Sequence, residues 1–232
     1  MGYNISMENI NLPEPSLTWL GHAGFSFIDK NGNNIYFIDP FQLKNFHLKP
    51  ADIIFITHAH YDHFSPADIE KILKEDTVVV APPDILEKIK ISPGRKIPVK
   101  PNQKYDVKKF SFSTIPAYNN VSERLAFHPK ANNWVGYIFE LNGQKIYHAG
   151  DTDFTEEMKS LDKLGIDIAL LPIGGTYTMD VKDAADAANA IRAKTTIPMH
   201  YKNLVGEGYK NIEEEFKRLV VNSKVVILEE LK

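Results

Sequence analysis

Apolar residues in the first third of the chain come in short runs separated by turn residues, the spacing of strands rather than helices. Leu17 to Leu20, Gly24 to Ile28 and Asn34 to Ile38 are three such runs, the last two divided by Asn31-Gly32-Asn33. Ile53 to Ile56 is unbroken and β-branched, which predicts a strand buried on both faces. Further strands are predicted at Thr77 to Val80, Phe110 to Ile115, Val135 to Leu141, Lys145 to His148, Ile166 to Leu171, Thr195 to Met199 and Lys224 to Leu228. Three helices fall between them. Ser65 is a suitable N-cap, with Pro66 at the first helical position and Asp68 where a capping-box acid belongs, and that helix runs to about Lys74. Asp180 caps an alanine-rich helix through Ala193. Asn211 and Glu214 open a third, with Ile212, Phe216, Leu219 and Val220 as its apolar stripe. Strands lead in each half and helices follow, an order that suits two sheets packed inside two helical layers. The expectation is a mixed fold, α+β or α/β, built as a four-layer αββα sandwich in a single domain over residues 1–232.

Composition narrows the chemistry. Of the 232 residues, 43% are hydrophobic and 25% charged, as in a globular domain with a sizeable core. The net charge of −3 argues against a nucleic-acid surface. The segment Met1 to Pro13 lacks an apolar h-region, and no run approaches the roughly 18 apolar residues of a membrane span, so a cytoplasmic protein is expected. There is no cysteine, so a bound metal must be held by His, Asp or Glu.

The chemistry concentrates in Thr57-His58-Ala59-His60-Tyr61-Asp62-His63, between a buried strand and a capped helix. Residues leaving a strand at i and i+2 point the same way, so His58 and His60 can share one ion, while Asp62 and His63 face a second. Imidazole with carboxylate suits zinc, and also manganese, iron or cobalt. The chain has no G-x-S-x-G nucleophile turn and no Walker-type phosphate loop, which leaves serine-hydrolase and nucleotide-hydrolysing mechanisms without support.

This segment resembles the H-x-H-x-D-H signature of the metallo-β-lactamase superfamily. Other stretches resemble it in order: Phe37-Ile38-Asp39-Pro40, Ala149-Gly150-Asp151-Thr152 and Pro198-Met199-His200-Tyr201. Gly21-His22-Ala23-Gly24-Phe25 and Leu171-Pro172-Ile173-Gly174-Gly175 are similar to the branch containing ascorbate-6-phosphate lactonase. The resemblance implies the αββα fold, Asp151 as a carboxylate bridging two ions, and His200 as the last metal-binding histidine. It also implies a third imidazole on the first ion after Pro-Ala-x, where this chain has Ile115-Pro116-Ala117-Tyr118-Asn119. Two readings of that departure stand: His128 supplies the missing nitrogen, or the first ion is weakly held. Asp39 is expected to orient a ligand histidine and His148 to support the site from behind. His22 either lines the pocket or is a core histidine, and His47 reads as surface.

The candidate metal ligands are therefore His58, His60, Asp62, His63, His128, Asp151 and His200, holding one or two Zn2+ ions, with Mn2+ or Fe2+ as alternatives. The implied activity is a metal-bound hydroxide attacking a lactone, ester or phosphoester, with Asp62 also orienting the nucleophile and Tyr118 or Tyr201 donating to the leaving group. An iron-dependent oxidase or dioxygenase and a non-catalytic metal-binding protein are the competing classes. The expected partner is a small-molecule substrate, anionic if Arg124 or Lys130 reaches it; no nucleic acid or membrane partner is expected, and a homo-oligomer is compatible with the sequence. The long connection from Ala117 to Asn133 is expected to act as a lid.

Overall fold

The computed structural model describes residues 16–30, 32, 35–44 and 48–231. The readings made on Met1 to Pro13, on Asn31, Asn33 and Asn34, and on His47 lie outside them. Thirteen strands form two sheets among the described residues. The first takes β1 (Ser16–Gly21), β2 (Gly24–Ile28), β3 (Ile35–Ile38), β4 (Ile53–Phe55), β5 (Val78–Ala81) and β6 (Lys96–Pro98) in sequence order. The second takes β7 (Lys104–Val107), β8 (Phe110–Pro116), β9 (Val135–Leu141), β10 (Gln144–His148), β11 (Ile168–Pro172), β12 (Thr195–Met199) and β13 (Lys224–Val225), again in order. Each sheet begins antiparallel, from β1 to β3 and from β7 to β10, and then continues parallel.

Strict alternation of side chains assigns the layers. In β3 to β5, Tyr36, Ile38, Ile53, Phe55, Val78 and Val80 enter the core shared with the second sheet. Their neighbours Ile35, Phe37, Ile54, Val79 and Ala81 enter a separate core with Ile69 and Ile72 on the opposite face. Phe55 spans the gap between the sheets, with ring centroids 5.1 Å from Phe112, 5.3 Å from Tyr137 and 4.8 Å from Phe139. The apolar run at Ile53 to Ile56 is unbroken because both of its faces are covered.

Helix α1 (Pro66–Ile72) and the short turn α2 (Pro83–Leu86) lie on the first sheet; α3 (Glu156–Lys159), α4 (Val181–Ile191), α5 (Lys202–Val205) and α6 (Tyr209–Leu219) follow strands of the second. Ala184, Ala187, Ala188 and Ile191 of α4 and Phe216 of α6 bury against that sheet and complete the αββα sandwich. Asp180 caps α4 through Asp183 N at 2.8 Å, and the helix ends at Ile191, two residues earlier than the alanine pattern suggests, with left-handed Arg192 as its C-cap. Ser65 caps α1, but Asp68 does not complete a capping box. Its carboxylate instead accepts from Gln42 N at 2.8 Å and Leu43 N at 3.0 Å, tying the segment after β3 to the helix that follows the histidine cluster. Strands β6 and β7 escape the hydrophobic pattern because they are short and partly exposed at sheet edges. No helix among the described residues is long and apolar enough to cross a membrane.

Candidate metal centre

The connections after β1, β3, β4, β8, β10 and β12 gather at one edge of the sandwich, at the carboxyl ends of parallel strands where such folds place their ligands. Among the left-handed non-glycine residues there are three of the histidine–aspartate cluster and its support: His22 (φ 51°), Asp39 (φ 45°) and His200 (φ 56°). Backbone held in that region costs free energy, and it recurs where a side chain must be aimed. Gly174 packs so tightly on this corner that a Cβ there would sit 2.4 Å from the His200 carbonyl oxygen and 2.8 Å from Leu204 Cδ1. Gly174→Ala is therefore expected to displace His200, costing about 1–3 kcal/mol and several degrees in melting temperature, together with metal content. A melt and elemental analysis matching wild type would show that the corner yields freely.

Asp39 stands behind the cluster. Its Oδ1 accepts from Thr57 N at 2.8 Å, and its Oδ2 from Thr57 Oγ1 at 2.6 Å and His63 Nδ1 at 2.8 Å. Fully engaged and fully buried, it orients His63 so that Nε2 faces Asp151 Oδ1 at 3.3 Å. Thr57 Oγ1, having donated to Asp39, accepts from His58 Nδ1 at 2.9 Å and so leaves His58 Nε2 as a lone-pair donor. That atom lies 3.1 Å from His60 Nδ1. Two nitrogens each about 2.0–2.1 Å from one zinc at a tetrahedral angle are separated by roughly this distance.

The third nitrogen of this group is on His128. It is not a loop-surface residue: it is buried, and its Nε2 joins His58 and His60 within mutual reach of one ion. Asn119 does not ligate; its Oδ1 accepts from His128 Nδ1 at 2.7 Å while its Nδ2 donates to Tyr177 O at 3.1 Å. The amide thus fixes the tautomer of the His128 imidazole and leaves its Nε2 facing His58, His60 and Asp151. Trp134 closes the floor, with its ring 5.1 Å from both His58 and His60.

A second group comprises His22, Asp62, His63 and His200. His200 Nε2 is 3.6 Å from Asp62 Oδ2 and 3.1 Å from Asp151 Oδ2. His22, which the sequence left between pocket and core, donates through Nε2 to Asp62 Oδ2 at 2.9 Å, and its backbone oxygen accepts from His200 N at 3.0 Å. Asp151 lies between the groups, with His63 on Oδ1 and His58 (3.9 Å), His128 (3.3 Å) and His200 on Oδ2. His148 lies behind, donating from Nε2 to Ala23 O at 2.8 Å and accepting Gly150 N on Nδ1 at 3.1 Å, which shapes the turn that delivers Asp151.

Charge within the cluster is unequally shared. Burial, reinforced by His63, holds His58 well below the ordinary imidazole range; burial and His128 likewise lower His60. His63 is also fully buried, but Asp151 and Asp39 overcome that penalty and raise it well above the usual range. Asp151 is buried yet held far below the carboxylate range by the charges of His200 and His63. Asp62 is depressed in the same way, the neighbouring His200 imidazole and the hydrogen bond from His22 outweighing burial. Buried Nε2 atoms of His63, His128 and His200 and Oδ1 of Asp151 lack any well-directed hydrogen bond. Converging nitrogen and oxygen donors left without partners in a buried site fit divalent metal ions, which would satisfy them.

Several sequence expectations are corrected. Arg124 is buried, with Nε 2.7 Å from Asp153 Oδ1 and Nη2 2.8 Å from Asp183 Oδ2, and so holds the Ala117–Asn133 connection down rather than meeting a substrate. The connection is further fixed by Asn120 N and Val121 N on Asp153 Oδ2, which is anchoring rather than the freedom of a lid. Lys130 pairs with Glu157 at 3.1 Å and lies over the Tyr118 ring, outside the metal pocket. Tyr118 donates to Glu157, and buried Tyr201 donates to Glu213, so neither serves a leaving group here. Tyr177, in the loop after β11, and Leu204, in α5, line the pocket but carried no sequence signal that marked them as pocket residues.

Residues 16–200 match the model of the Beta-lactamase superfamily domain. A UPF0173 metal-dependent hydrolase of Pyrococcus furiosus is 37% identical over 227 residues, covering 91% of this chain and 95% of that protein. One from Thermococcus onnurineus is 36% identical over 219 residues, covering 90% and 94%. Among solved structures, a candidate metal-dependent hydrolase from Parabacteroides distasonis superposes with a TM-score of 0.81 at 31% identity, covering 93% of each chain.

Proposed function

The chain belongs to the Beta-lactamase superfamily and, within it, to the UPF0173 metal-dependent hydrolases, and from that membership we propose that it hydrolyses a lactone, ester or phosphoester of a small cytoplasmic molecule at a two-zinc centre. The observation that carries this reading is the place of Asp151 between two donor groups, both opening on one cavity of about 290 Å³. His58, His60 and His128 would hold one ion, Asp62, His63 and His200 the other, and Asp151 both. When bound, such ions lower the pKa of water toward neutrality and polarise a carbonyl or phosphoryl oxygen.

The chain's own residues supply the rest. The neutral state favoured at His58 and His60 leaves their lone pairs available, as metal binding requires. Asp62 lines the cavity and is held ionised by His22 and His200, so it is placed to accept the proton of an attacking water. His22 keeps that carboxylate oriented, and Trp134 keeps bulk water from the floor of the first group.

The test is elemental analysis of untagged protein after equilibration with zinc, manganese or iron, followed by a panel of chromogenic esters, lactones and phosphodiesters. Two ions per chain and turnover with zinc are expected, with His58→Ala and His63→Ala each lowering the metal content. Absence of transition metal after reconstitution rejects the centre, and metal binding without turnover of any panel member rejects the hydrolase.

A further inference from the structure

Seven large apolar side chains are exposed among the described residues, and four of them share one place. Tyr61 (78% exposed), Phe127 (37%), Tyr177 (39%) and Leu204 (37%) line the cavity that holds His60, Asp62, His128 and Asp151. They come from four separate connections, so chance adjacency in sequence does not bring them together. Phe127 and Tyr177 meet edge to face with centroids 4.8 Å apart, forming a rigid aromatic corner, and Leu204 adds an aliphatic surface. Exposed apolar groups gathered in a concavity mark a ligand surface, because leaving them in water is otherwise unfavourable.

Among the described residues, the same lining carries no lysine or arginine. The two nearby cations with the best claim are committed elsewhere, Arg124 to Asp153 and Asp183, and Lys130 to Glu157. A phosphate or carboxylate on the far part of a substrate would find no guanidinium or ammonium partner on this wall. A volume near 290 Å³ is at the small end for ligand cavities, which suits a group of ring size rather than a polymer.

We infer that the substrate is a neutral ester or lactone whose acyl or alcohol part is a compact apolar group, aromatic or branched aliphatic, seated against Phe127, Tyr177 and Leu204. This rests on the metal-hydrolase reading and narrows it away from sugar phosphates and other substrates with charged tails. It also gives Asn119 a second consequence, since the amide that fixes His128 also holds the Tyr177 backbone, coupling the ligand to the wall.

Three probes with one metal-binding head separate the wall from the chemistry: acetohydroxamate, benzohydroxamate and the monohydroxamate of succinate. Their binding to zinc-loaded protein is measured by calorimetry. Burial of a phenyl group is expected to tighten benzohydroxamate roughly tenfold or more over acetohydroxamate, while the succinate probe gains nothing. In Phe127→Ala and Leu204→Ala the ratio between the benzoyl and acetyl probes should fall toward one, with circular dichroism and zinc content reporting that each variant is folded and loaded. Equal affinity for the three, tighter binding of the succinate probe, an unchanged ratio in both variants, or no binding by any of them overturns the inference. Discrimination among the probes with no hydrolysis of any ester or lactone keeps the wall and overturns the hydrolase reading instead.

Discussion

Asp151→Ala is expected to lose both ions and to lower turnover by at least about 10²–10³-fold, the range measured when a single electrostatic contact to a reacting centre is removed. The reason is position. The carboxylate faces His63 through Oδ1 and His58, His128 and His200 through Oδ2, so no other side chain touches both donor groups so broadly. It is also the charge that keeps His63 and His200 above the ordinary imidazole range against the penalty of burial. Removing one partner of such a buried set leaves uncompensated charge, which costs about 3–5 kcal/mol unless the histidines release protons. Asp151→Asn is the sharper variant, because it keeps the volume and one acceptor oxygen while removing the charge. Both variants should bind less than one ion per chain by elemental analysis under conditions that saturate wild type. Two tightly held ions in Asp151→Asn with near-normal turnover would show that the centre does not depend on a bridging carboxylate.

The sandwich and the Thr57–His63 segment were readable from the chain because they rest on local pattern, whereas Asp151 and His200 entered through the family resemblance alone. Alternation in β3 to β5 encodes two cores, and the buried strand followed by Thr57 to His63 encodes a strand end aimed at a site. What was not readable depends on contacts distant in sequence. Asp68 looks like a capping acid three residues from Ser65, yet backbone amides 25 and 26 residues away win its carboxylate because they would otherwise be buried or half-buried without acceptors. Arg124 looks like a substrate-binding cation in a long loop. The loop, however, passes over Asp153 and α4, and a buried guanidinium must be paired. His22 shows the converse. A histidine between glycines gives no local sign of its partner, and only the fold brings Asp62, 40 residues on, to its Nε2.

Asn119→Leu is expected to weaken one ion by about 10–100-fold, the usual loss when a residue that orients a metal ligand is removed, and to leave the other ion near its wild-type affinity. Leucine keeps the size of the amide but cannot accept from His128 Nδ1, so the imidazole loses the hydrogen bond that directs Nε2 toward Asp151. Asn119→Asp should rescue binding, since a carboxylate oxygen at the same place accepts the same hydrogen bond and makes the ring a better donor. Asn119→His should not repair the centre by adding a ligand, because residue 119 meets the Nδ1 side of His128 and not the Nε2 side, which faces Asp151. His128→Ala should weaken the same ion, and the double variant Asn119→Leu/His128→Ala should be no worse than His128→Ala alone, because the amide acts through the ring. Stepwise zinc titration with a chromogenic chelator reads the two affinities separately, and cobalt substitution reports through its visible spectrum which group has changed. The account fails if Asn119→Leu holds both ions as wild type does, or if the double variant loses as much as the two single losses combined.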